Sequence, residues 1–204
     1  MKVTLLRTPA GNFGRLRRGL ERERARVDER SPREVTGNER AVVLAGVSSF
    51  TTLSRSLAPA RSTLRRMVEA GVPLMGVCAG MQVLFGSSEE GPGRGLDLLS
   101  GRVRRLRARR VPNLGWSRLA RTDGEGRRLM EGVAEGSYAY FAHSYRVPAL
   151  AQGAATTTEY RGEDFPSALE HGNLWGLQFH PEVSSSTGTK VLRNFIAYAE
   201  EASR

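Results

Sequence analysis

The chain has 204 residues and a formal net charge of +10, and its hydrophobic and charged shares, 39% and 25%, are those of a globular protein. No stretch approaches the ~18 consecutive apolar residues that a membrane helix needs, and a single cysteine excludes an internal disulfide. No Cys/His cluster has metal-ligand spacing. The apolar part of Met1–Arg7 is too short for a signal peptide and reads better as a strand. One domain over residues 1–204, in the cytoplasm, is the expectation.

The first half alternates strand and helix. Lys2–Leu6 reads as a strand. Asn12–Arg24 reads as an arginine-rich helix with Asn12 as N-cap. Arg40–Leu44 is a short buried strand ending at Ala45-Gly46. Ala60–Ala70 is a helix stopped by Gly71, Pro73–Val77 a strand, and Ala79–Gly86 a helix. Such alternation predicts an α/β fold, with a parallel sheet covered by helices on both faces. Residues 87–95 read as a loop. Short strands follow near 101–106, 115–120, 138–142, 144–147, 153–159, 166–170 and 174–179, a mixed or antiparallel addition to the sheet. A helix near Gly188–Ala199 closes the chain, with Val191, Leu192, Phe195, Ile196 and Tyr198 roughly at helical period.

The positive charge is almost all arginine, concentrated between Arg15 and Arg26 and between Arg102 and Arg110. The first run is interleaved with Glu21 and Glu23, as on a solvated helix face. The second has no aromatic residues to stack on bases, which argues against nucleic acid. A basic surface for an acidic protein partner is a third reading.

The chemistry centres on Cys78. It lies in Gly76-Val77-Cys78-Ala79-Gly80, between an apolar strand and a helix, a turn that exposes a nucleophile on a strained backbone. A buried cysteine is most often a small hydrophobe; glycines bracketing a strand-to-helix turn argue for the nucleophile. The helix N-terminus would favour the thiolate. His180, in His180-Pro181-Glu182 after an apolar strand, is a better-placed base than His143 or His171. If that segment is extended, Glu182 projects to the side of His180 and can hold its other ring nitrogen. The Ala79 N–H is placed for an oxyanion. Gly46-Val47 of Gly46-Val47-Ser48 can carry a second donor, or be a plain turn. Gln82, one helical turn after Cys78, can face the same crevice. These residue types predict acyl transfer through a thioester.

Gly76–Gln82 and His180–Glu182 resemble the class I (triad) glutamine amidotransferases. Val111–Trp116, Gly136–Tyr145, Ser87–Glu90, Gly95–Val103 and Gly176–His180 resemble the glutaminase subunits of imidazole glycerol phosphate synthase. The resemblance covers essentially the whole chain and is strongest from residue 72 onward. It implies an open mixed sheet flanked by helices with a small antiparallel addition, and no cofactor. It implies Cys78, His180 and Glu182 as the triad, L-glutamine as substrate, and Gln82 and His143-Ser144-Tyr145 as substrate-binding positions. It also implies delivery of ammonia to a (β/α)8-barrel cyclase subunit in a heterodimer, in histidine biosynthesis, with Pro112, Asn113, Trp116 and Tyr138 near the interface. Trp116 and Tyr138 are also the amphipathic aromatics that interfaces favour, with core packing as the alternative. A pyridoxal phosphate synthase-type glutaminase shares the Gly-x-Cys-Ala-Gly turn, but the Asn113–Trp116 and Tyr138–Tyr145 stretches argue against it. A non-catalytic basic binding module is opposed by the intact triad set. The chain departs from the family at Ala45-Gly46-Val47-Ser48, where Pro-Gly-Val-Gly is usual, and at Arg7-Thr8-Pro9, where Asp-Tyr-Gly is usual.

Overall fold

A computed structural model describes residues 1–8, 13–122 and 128–204. In chain order the elements are β1 (Lys2–Leu6), α1 (Gly14–Arg22), β2 (Arg26–Arg30), β3 (Val42–Gly46), α2 (Phe50–Ser56), α3 (Arg61–Glu69), β4 (Leu74–Cys78) and α4 (Ala79–Gln82). There follow β5 (Phe85–Ser88), β6 (Leu99–Arg105), β7 (Asn113–Arg118), β8 (Ala120–Arg121), β9 (Tyr138–His143) and β10 (Tyr145–Arg146). The last are β11 (Ala154–Tyr160), β12 (Glu163–His171), β13 (Leu174–Leu177) and α5 (Ser185–Glu201).

The main sheet has eight strands in the order β2-β1-β3-β4-β13-β12-β11-β8. The strands from β2 to β13 run parallel and β12, β11 and β8 antiparallel. The mixed α/β architecture agrees with expectation. The later strands do not all extend this sheet, however: β10-β6-β5 and β7-β9 form two small sheets of their own.

Every residue of β3, β4 and β13 is buried, as the middle of a sheet covered on both faces requires. Alternation along the strands feeds two cores. Val3, Leu5, Val43, Met75, Val77 and Trp175 face α1 and α5, meeting Leu16, Leu20, Val191 and Phe195. Leu6, Val42, Leu44 and Leu74 face α2 and α3, meeting Phe50, Leu53, Leu64 and Met67.

Four elements differ from the sequence reading. The helix predicted over 79–86 ends at Gln82, and Phe85–Ser88 is a strand. Val83, Leu84 and Phe85 are fully buried all round, and periodicity cannot separate a buried helix from a buried strand. The Val83 and Leu84 carbonyls accept from Leu96 and Leu98 N–H instead of continuing the helix. β2, whose sequence Arg-Val-Asp-Glu-Arg is a charged edge strand, carries no apolar alternation to betray it. α2 is short and rich in Ser and Thr; its signal is Ser49, whose hydroxyl caps the Thr52 N–H. The predicted cap Asn12 lies outside the described residues.

The join of β4 to α4 depends on two glycines. A Cβ on Gly80 would sit 1.8 Å from the Leu44 carbonyl oxygen, and one on Gly76 would sit 2.5 Å from that of Gly80. Both obstacles are backbone, so neither can yield by rotating a side chain. Gly80→Ala is expected to cost about 3 kcal/mol or more, read as a lower midpoint in urea unfolding; an unchanged midpoint would mean that the α4–β3 packing is not this close.

Candidate active site

Three adjacent parallel strands deliver the site at their carboxyl ends, where open α/β sheets place ligands. Gly46 ends β3 and stands in register beside Cys78, which ends β4. On the other side β13 pairs with β4 up to Leu177↔Val77, and the chain beyond it carries Gln178 and His180. Cys78 is therefore flanked by the predicted oxyanion loop and the predicted base.

Cys78 has φ 55° and ψ −114°, a backbone conformation that L residues rarely occupy. Such strain persists where the surroundings enforce it, and it turns the side chain sharply off the strand. The thiol is buried, with Sγ 3.8 Å from the Ala142 carbonyl oxygen and 3.9 Å from Gln178 Nε2. α4 has only four residues, so the helix dipole expected to favour the thiolate is slight.

Histidine supplies what the helix does not. His180 Nδ1 lies 3.0 Å from Glu182 Oε1. Burial alone would lower the His180 pKa, but hydrogen bonds to Cys78 and Glu182, and the charges of both, push it up to about 10. Against the cost of burial, the two neighbours favour the protonated imidazole. Glu182 reaches His180 by a route other than the predicted one. Residues Pro181–Val183 form a 3-10 turn, and this turn, not an extended segment, folds the carboxylate back.

The other candidates fall into place around one cavity of about 260 Å³, lined by Val47, Ser48, Cys78, Ala79, Gln82, Glu90, Pro112, His143, Ser144 and Tyr145 among others. Ala79 opens α4, so its N–H has no acceptor within the helix. A Cβ on Gly46 would lie 3.5 Å from that of Ala79, which brings the two predicted oxyanion positions together. Ser48 Oγ is buried without a partner. Gln82 is buried; its Nε2 donates to the Tyr145 carbonyl (2.8 Å) and to Gln178 Oε1 (3.1 Å). Its amide therefore braces the cavity wall.

His143 has both ring nitrogens engaged. Its Nδ1 donates to the Tyr145 carbonyl (2.8 Å), leaving Nε2 to accept from Asn113 Nδ2 (3.3 Å). Burial lowers its pKa to about 4; the bond to Tyr145 works against this and the charge on His180 adds to it. It is a neutral strut joining β9 to β7. Asn113 is likewise a buried partner of His143, whereas Trp116 and Tyr138 are 53% and 56% exposed. They are not core residues. Trp116 packs edge-on to Tyr140, its register partner on β9. His171 ends β12, at the opposite end of the sheet from the Leu177↔Val77 pair.

Sequence reasoning missed three residues. Gln178 stands two residues before His180, a spacing that could have marked it. Glu90, whose Oε2 accepts from the Phe50 N–H (2.6 Å), brings a carboxylate to the cavity from a loop with no distinguishing pattern. Ser184 bonds to the backbone of His180 and of Tyr140, which lies 44 residues away in the chain.

The profile of the family "Glutamine amidotransferase class-I" matches residues 15–199. The chain belongs to this family of enzymes, the glutamine amidotransferases. Its relatives include proteins named imidazole glycerol phosphate synthase subunit HisH. That of Methanosarcina mazei is 36% identical, over 96% of this chain and 98% of its own. Those of Gloeobacter violaceus and Halobacterium salinarum are 39% and 40% identical, covering 98% and 94% of this chain and 91% and 90% of theirs. Within the amidotransferases, the chain belongs with these HisH proteins. The fold is shared with a solved glutamine amidotransferase at TM-score 0.75 and 21% identity, over 97% of this chain and 98% of that one. It is also shared with a glutamine amidotransferase from Thermotoga maritima, at TM-score 0.68 and 17% identity, over 98% of this chain and 84% of that one.

The His143 strut has a consequence for stability. The unfolded chain takes up a proton near pH 6.5 that the native imidazole refuses until about 4. The contribution is fully present above pH 6.5 and is lost as pH falls towards 4, on the order of 3 kcal/mol in all. Urea unfolding at a series of pH values should show this acid slope, and His143→Asn should lack it.

Proposed function

We propose that this chain is the glutaminase subunit of imidazole glycerol phosphate synthase. It hydrolyses L-glutamine through a thioester on Cys78 and passes the ammonia to a (β/α)8-barrel cyclase subunit in histidine biosynthesis, in the cytoplasm. The observation that carries the reading is the Cys78–His180–Glu182 alignment at the adjoining ends of β4 and β13, with His180 held protonated by its two neighbours.

The chemistry follows from that alignment. Cys78 Sγ attacks the glutamine side-chain carbonyl carbon, and the oxygen, now negative, turns to the N–H of Ala79 and to the Gly46-Val47 peptide. His180 gives its proton to the nitrogen as the C–N bond breaks, and ammonia leaves. Forming the thioester removes the negative charge beside His180, so its affinity for the proton falls as it is needed by the leaving group. Water then attacks the thioester, His180 takes its proton, and the C–S bond breaks to give glutamate. Glu182 holds Nδ1 throughout, so that Nε2 is the nitrogen that exchanges protons. The Glu90 carboxylate suits the substrate's α-ammonium group, and backbone at His143–Tyr145 lines its amino-acid end.

The partner is supported by the outer face of β7 and β9. Leu114 is 66% exposed there, alongside Trp116 and Tyr138, and Pro112 borders the cavity mouth. An exposed apolar and aromatic group beside a cavity is what an interface core uses, and a seal is what free ammonia requires.

The deciding experiment is co-purification with the barrel cyclase and assay of both reactions. Glutaminase activity should be low for the chain alone and rise markedly with the partner and its nucleotide ligand. Cys78→Ala should abolish glutamine-dependent synthesis and spare ammonia-dependent synthesis; retained glutaminase activity would refute the mechanism. Ser48→Gly should alter basal or stimulated glutaminase activity, and no change in either would remove the 46–48 loop from the oxyanion site.

A further inference from the structure

We propose that Ser184 is a positioning residue for the catalytic histidine, its hydroxyl setting the distance and orientation of His180 against β9. The proposal deepens the glutaminase reading and rests on it for the turnover measurement, though not for the chemical one.

In an antiparallel ladder the residues of a hydrogen-bonded pair exchange both backbone bonds, N–H to carbonyl in each direction; His180 and Tyr140 belong to no common ladder but come close to this pattern. His180 and Tyr140 exchange one directly: the His180 N–H donates to the Tyr140 carbonyl at 2.9 Å. The return bond is relayed. The Tyr140 N–H donates to Ser184 Oγ at 2.9 Å, and that hydroxyl donates to the His180 carbonyl at 2.6 Å. A hydroxyl can accept and donate at once, so it stands in for the missing direct contact where the chain leaves β13 for the 3-10 turn. Ser184 is fully buried.

Several features hold the relay in place. The Ser184 N–H donates to the Pro181 carbonyl (3.2 Å), and its own carbonyl accepts from the Gly188 N–H (3.1 Å), tying the turn to the start of α5. A Cβ at Gly188 would lie 1.8 Å from the Pro181 oxygen, so α5 packs directly on the turn. The Ser184 hydroxyl is engaged by this relay and makes no cap bond for α5. Capping is the commoner use of a serine at that position.

β9 also sets the cysteine's surroundings. Its Ala142 carbonyl lies 3.8 Å from Cys78 Sγ, and His143 at its end is tied to Asn113 and Tyr145. Through Ser184, His180 is measured against the strand that flanks the nucleophile. Among the described residues, the titratable groups facing His180 are Cys78 from β4, Glu182 from its own turn and His143 from β9. Ser184 is none of these, so any effect it has on the titration acts through geometry.

The test is the pH dependence of Cys78 alkylation by iodoacetamide, on the full chain without glutamine or partner, alongside steady-state glutaminase kinetics of the complex. Ser184→Ala should move the alkylation midpoint upward by about one unit relative to the wild-type chain, because a displaced His180 favours the thiolate less. It should also lower kcat by about 10- to 100-fold with the glutamine KM within about twofold. Ammonia-dependent synthesis should be unchanged. If Ser184→Ala does not fold, Ser184→Gly, which leaves room for one water in place of the hydroxyl, carries the same directions with smaller size. A folded variant with the wild-type alkylation profile and wild-type kcat would overturn the proposal. If the wild-type chain were to lack glutaminase activity, the glutaminase reading would fail, and the alkylation profile would still decide the role of Ser184.

Discussion

The site is built on a close approach of backbone to backbone. β4 must turn into α4 within one residue, with α4 lying almost against the Leu44 carbonyl of β3. That leaves no room for a Cβ at Gly76 or Gly80, and it forces Cys78 to φ 55°. The neighbouring strands, buried on both faces, enforce the strain. In return the thiol stands clear of its own strand, with Gly46 on one side and the β13 end on the other. A looser elbow would leave the same residues in the same order without bringing them together.

The electrostatics depend on that proximity. The four-residue α4 is too short to do much for a thiolate, so the proton inventory is set by side chains. His180 lies between Cys78 and Glu182 and is held protonated despite its burial. His143, equally buried, has carbonyl and amide partners and stays neutral. Two histidines in one region are thus driven in opposite directions by their partners. One is suited to carry a proton and the other to hold two strands together.

β9 joins these parts to the outside. Its inner face carries the carbonyl beside Cys78 and the His143 strut, and its backbone is bonded to His180 directly and through Ser184. Its outer end carries Tyr138, and β7 beside it carries Leu114 and Trp116, all exposed. The surface proposed to meet a partner and the chemistry proposed to serve it are therefore two sides of one two-stranded ribbon.

Much of this was legible in the residues. Alternating apolar strands and helices announced the α/β sheet, because burial on both faces demands continuous apolar runs. The glycine-bracketed Cys78 and the His180-Pro181-Glu182 group marked the residues that the ends of β4 and β13 bring together, because each chemistry is carried by local residue types. What misled was also local. Val83–Phe85 looked like more helix because a wholly buried run has no period to read, and β2 was hidden because an edge strand may be charged. Other features had no local signal at all. The neutrality of His143, the Glu90 carboxylate in the cavity and the Ser184 relay each depend on atoms distant in the chain. The exposure of Trp116 and Tyr138 likewise follows from the β7–β9 ribbon being a sheet of its own, separate from the main one. The sequence by itself determined which chemical groups are present and which strands must be buried. Only the tertiary structure decided which groups face one another, because hydrogen bonding and desolvation depend on distance in space rather than separation along the chain.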